Sequence, residues 1–114
     1  MHNSAIKIST GTAKEGEKDP VENLEHLTEE YLADGHRQLE QALETRRRLL
    51  GAMHIATGEV QFTLGLFELY LLGNNDAAEA FVAAAQKSYE SQLGPDHPSA
   101  IHVTNCLAMV MQRL

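Results

Sequence analysis

The chain has 114 residues, 43% of them hydrophobic, a formal charge of −7 and one cysteine. That length suits one domain with a packed core, and the acid excess argues against nucleic acid, which is held by Lys and Arg on phosphates. No apolar run reaches membrane-spanning length, and Cys106 alone cannot build an internal disulfide framework, which suits a reducing, cytoplasmic setting.

Residues 1–19 have Ile6 and Ile8 as their only β-branched aliphatics and then run polar and charged from Ser9 to Lys18. Such a stretch buries too little apolar surface to offset its ordering entropy, so a flexible tail is expected, with Ile6-Lys7-Ile8 as its one docking point. It also lacks the apolar core of a signal peptide. A helical domain is expected over 20–114. Asp19-Pro20-Val21-Glu22 carries a cap, a first-position proline and a capping-box carboxylate. Leu24, Leu27, Tyr31 and Leu32 follow at helical spacing. Gly35 then either turns the chain or lies inside one long helix, since a single interior glycine costs only about 1 kcal/mol relative to Ala. Leu39, Ala42, Leu43, Leu49 and Leu50 continue the pattern to Gly51. Arg46-Arg47-Arg48 point in different directions on a helix and read as a solvated helix end.

Val60, Leu64, Phe67, Leu71 and Leu72 predict the next helix, ended by Gly73-Asn74-Asn75-Asp76. Asp76 is a candidate cap with Glu79 as its box partner. Another helix runs to Leu93. Gly94-Pro95-Asp96-His97-Pro98 ends it and opens the last helix, lined by Ile101, Leu107, Ala108, Val110 and Met111. No stretch alternates with period two, so the chain reads as all-α.

An internal repeat underlies this order. An offset of 43 residues pairs Gly51 with Gly94, His54 with His97, Val60 with Val103, Leu64 with Leu107, and Ala42 with Ala85. The two histidines are expected to bond loop backbone at equivalent junctions. Leu93-Gly94-Pro95-Asp96-His97-Pro98, followed by Thr104-Asn105-Cys106-Leu107-Ala108, resembles the tetratricopeptide repeats of kinesin light chains. Thr104, Cys106 and Met111 depart from that pattern. The turn after Leu72 holds one extra residue. The small-residue positions of the following helix are therefore either Ala78, Val82 and Ala85 or Ala77, Phe81 and Ala84. The resemblance covers about Pro20 to Met111 and is sharpest at the junction. It implies a short right-handed α-solenoid of antiparallel helix pairs, about two and a half repeats long, that binds protein.

In such a stack the first helices of the pairs line a groove. By register those positions are His102, Asn105, Met109 and Gln112, then Glu59, Phe62, Leu66 and Leu69, then Glu22, Glu25, Glu29 and Leu32. Asn105 matches a family asparagine that contacts peptide backbone, and its amide both donates and accepts. Phe62, Leu66 and Leu69 are either an apolar anchor or buried by a neighbour. The glutamates favour a basic or apolar protein or peptide. Few repeats and an apolar carboxyl end favour self-association, docking on a larger partner, or excision from a longer chain. The alternatives are a self-associating assembly subunit and the helical appendage of an enzyme. His102 and Cys106 share a helix face, but two ligands do not make a metal site, and the remaining carboxylates fit helix surfaces. No catalytic motif is present, so no enzyme activity, metal or cofactor is expected.

Overall fold

The computed structural model describes residues 20–114, with side chains from Leu24 onward. The expected tail, the docking point at Ile6-Lys7-Ile8 and the cap at Asp19 lie outside the described residues, as does the Glu22 side chain. The described residues form helices α1 (Pro20–Leu50), α2 (Ile55–Phe67), α3 (Asn75–Leu93) and α4 (Pro98–Met111), and no strand occurs among them. Gly35 therefore lies inside one long helix rather than at a turn. The chain divides at that glycine into two compact units, one ending at Asp34 and one running from Gly35 to Leu114.

In the second unit, consecutive helices run antiparallel. Arg46 meets Ala56 while His36 meets Glu68. Gly58 faces Ser88 while Gly65 faces Val82. Gln86 meets Thr104 while Asn75 meets Arg113. Helices α2 and α4 consequently run parallel, with Phe62 beside His102 and Tyr70 beside Met109.

The two junctions have the same backbone. Gly51 and Gly94 take positive φ values of 96° and 90°, a region that penalises any Cβ. Their N–H groups donate to Arg47 and Glu90 carbonyls, each at 2.9 Å. His54 and His97 are extended, at ψ 143° and 137°, and both act as N-caps. Each Nδ1 accepts from the N–H two residues on, at 3.0 Å, satisfying a donor the helix cannot. Both histidines bond backbone at their junctions as expected, but the donor belongs to the first turn of the following helix and not to the loop.

The turn after α2 differs from expectation. Helix α2 runs into a π-helical turn, Glu68–Leu72, closed by Gly73 in the left-handed region. A π turn accommodates one residue more than an α turn, which takes up the extra residue seen in the sequence. Asn74, not Asp76, caps α3, its side chain accepting from the Ala77 N–H at 3.2 Å. The chain leaves Gly73 extended, so the helix begins before Asp76 can act. Asp76 sits in the first turn, where its charge complements the helix dipole.

Two apolar clusters hold the second unit. One joins Leu43, Val60 and Leu64, with Leu39, Ala42 and Phe81 against it. The other joins Leu69, Ala78, Val82, Ala85, Val103 and Val110. Ala78, Val82 and Ala85 are fully buried, which decides the register of α3. Each large buried side chain contributes about 1.5–3 kcal/mol. The close approach of α2 to α3 depends on Gly65. A Cβ there would lie 2.5 Å from Val82 Cγ2 and 3.3 Å from the Val82 nitrogen.

Candidate partner-binding face

Parallel alignment of α2 and α4 brings several expected groove residues together. The Phe62 and His102 rings pack edge to face, 5.7 Å between centroids. Tyr89 from α3 packs against Phe62 at 6.4 Å. With Pro98, Ser99 and Val103 they line an open cleft of about 300 Å³. Further along, the Tyr70 hydroxyl meets Met109 Sδ at 3.8 Å. Asn105 and Glu59 are exposed, Met109 and Leu66 half-buried. The face is an aromatic and apolar floor with polar groups at its rim, a composition suited to a peptide side chain.

Leu69 takes the buried one of the two alternatives open to it. It is only 5% exposed and sits in the larger core cluster. The π turn begins at Glu68, so the α-helical count that placed Leu69 in the groove fails there. Gln112 is exposed just past the end of α4. Glu25 and Glu29 are exposed in the other unit, where Leu32 is half-buried.

Tyr89 was not among the expected site residues. Burial, and secondly the negative charge of Glu59, push its phenol above the usual range, so it stays protonated and able to donate. The sequence signal was weak: Tyr89 looked like one more core residue of α3. Arg47 and Arg48 are exposed in the last turn of α1, as expected, while Arg46 is also tied down. Its guanidinium donates to the Ala56 carbonyl at 2.7 Å and reaches Glu59 at 3.5 Å. One carboxylate escaped the surface assignment. Glu68 is buried, its Oε2 lying 2.5 Å from His36 Nε2, while His36 Nδ1 faces Glu40 at 3.3 Å. This hydrogen-bonded pair ties α1 to the π turn.

His102 Nε2 and Cys106 Sγ stand 3.9 Å apart, and burial raises the Cys106 thiol, keeping it protonated. Among the described residues no group of three or more His, Cys, Asp or Glu could hold a metal ion. None of the described helices is long and apolar enough to cross a membrane. No family model matches this chain, and no curated protein or solved structure matches it significantly.

Proposed function

We propose that this chain is a non-catalytic protein-interaction module of the tetratricopeptide type, working in the cytoplasm and binding a basic or apolar peptide on the α2–α4 face. The observation that carries this reading is the cleft between Phe62, Tyr89 and His102, built where two repeat-related helices run parallel. Asn105 lies three residues beyond His102, on the same side of α4. Its amide suits peptide backbone, and Glu59 suits a basic side chain. The matched junctions at Gly51 and Gly94 support a stacked-repeat architecture. The right-handed solenoid and its two and a half repeats are part of the proposal.

Affinity capture with mass spectrometry tests it, comparing the wild-type chain with Asn105→Ala and His102→Ala. Both side chains are exposed, so the fold should survive. Loss of the same partners from both variants is the expected result. Partners recovered equally by all three would exclude this face.

A second reading has its own observation. Leu49, Leu50, Met53, Leu71, Leu72, Met111 and Leu114 are all exposed in the second unit, more apolar surface than a lone module needs. They favour self-association as a structural subunit. Light scattering on the purified chain separates the readings, since a monomer excludes the second.

A further inference from the structure

The π turn at the end of α2 is not dictated by its own residues. Glu68-Leu69-Tyr70-Leu71-Leu72 contains neither glycine nor proline, and such residues continue an α-helix without difficulty. Both ends of the stretch are anchored. At the start, Glu68 is buried and its carboxylate is held by His36 of α1. At the far end, Asn74 caps α3. Between the anchors the Glu68 carbonyl accepts from the N–H of Gly73, five residues on, and from that of Asn74 at 2.8 Å. An α turn would give that carbonyl the Leu72 N–H instead and leave the spare residue in the Gly73-Asn74 connection.

The sequence supplies a core leucine for each arrangement. Leu64, Glu68 and Leu72 are spaced by four, so an unbroken α-helix sets them along one face, and the first two are buried. In the π turn Leu72 falls off that face and is 45% exposed, while Leu69 takes the inward place at 5%. One register buries Leu69 and the other Leu72, two side chains of equal size, so burial separates the registers little. The residue after Leu69 carries the consequence. Tyr70 sets its hydroxyl 3.8 Å from Met109 Sδ and its ring 5.8 Å from the Arg113 guanidinium. Winding the turn into the α register rotates Tyr70 away from both.

We propose that Glu68–Leu72 is a two-register switch, π and α, that moves Tyr70 on and off the α2–α4 face. The tie to His36 confines the change to the residues after Glu68. In the π register Tyr70 covers the end of the face at Met109, and in the α register that end is open. The switch belongs to the free chain and needs no peptide, so either proposal can fail while the other stands.

Relaxation-dispersion NMR on the full chain reads exchange on the microsecond-to-millisecond scale of such a motion. Exchange should appear at the amides from Leu69 to Asn74 and at the Met109 methyl, and be absent at Gly51 and Gly94. Leu72→Gln removes the side chain that the α register buries. It should abolish the exchange while thermal unfolding stays nearly unchanged, because Leu72 is already exposed. Leu69→Ala weakens the π register and should raise the α population about tenfold or more, moving the Met109 methyl toward its position in Tyr70→Ala. If circular dichroism shows that Leu69→Ala unfolds, Leu72→Gln decides alone. Two results would overturn the proposal: a wild-type turn without exchange, or exchange that Leu72→Gln leaves unchanged.

Discussion

The junctions Gly51–Gly58 and Gly94–Ile101 share one backbone and differ in what surrounds it. At the first, the Thr57 hydroxyl donates to the Gly51 carbonyl at 2.8 Å and the Ser88 hydroxyl to the Ala52 carbonyl at 3.2 Å. Arg46 adds its bond to Ala56. At the second, Ala100 stands in the place of Thr57 and has no hydroxyl to give. The helices that follow diverge too. Leu64 is fully buried where Leu107 is half-buried, and Gly65 is buried where Ala108 is exposed. Turn geometry is thus local, set by a glycine and a capping histidine, while burial depends on which neighbours a helix has. Helix α2 has α1 and the π turn as well as α3; α4 leans mainly on α3.

Core truncation should show this difference most strongly. Leu64→Ala is expected to cost about 2–5 kcal/mol, because the site is enclosed and leaves a cavity. Leu107→Ala should cost about half as much, since water already reaches that side chain. Urea unfolding of both variants measures the gap. Equal losses would mean that α4 is covered as fully as α2.

Next comes Gly65→Ala. An added methyl improves helix propensity by about 1 kcal/mol, but here it would strike Val82 Cγ2 and crowd the Val82 backbone. Overpacking of that kind costs about 1–3 kcal/mol, so the variant should be less stable. At the equivalent position, Ala108→Gly should lose about 1 kcal/mol through propensity alone. A stabilised Gly65→Ala would show that α2 and α3 are not pressed together as described.

The caps should differ least between junctions. His54→Ala and His97→Ala each remove one acceptor from a helix start and should each cost about 1 kcal/mol. Thermal unfolding of the two single variants checks the equality. A much larger loss at His54 would mean that the Thr57, Ser88 and Arg46 contacts depend on its cap.

Local features were the legible ones. The repeat offset, the junction glycines and the paired histidines all depend on a few residues in sequence, and periodicity reports them; the small-residue register of α3 stayed one residue open until burial decided it. Four features were not legible. Asn74 displaces Asp76 as cap because Gly73 sets the chain direction just before it. Leu69 turns inward because the π turn shifts the helical phase. Glu68 is buried because His36, 32 residues away, supplies its partner. The exposure of Leu24, Leu27 and Tyr31 was not legible, because periodicity marks an apolar face without saying what covers it. The cleft was half legible: helical register found Phe62 and His102, but Tyr89 enters from a different helix.

Gly35 is where the two possible readings of the sequence part most clearly. Among the described residues the glycines with positive φ are Gly51, Gly73 and Gly94, and Gly35 is not among them. A Cβ at Gly35 would meet only the Phe67 ring edge, at 3.4 and 3.7 Å, which is ordinary contact. Gly35→Ala should therefore raise helicity and stabilise the chain by up to about 1 kcal/mol. Gly51→Ala and Gly94→Ala should do the reverse, by about 1–2 kcal/mol, because an L-residue is strained at those φ values. Circular dichroism with thermal unfolding reads all three signs. A destabilised Gly35→Ala would argue against an uninterrupted helix through residue 35.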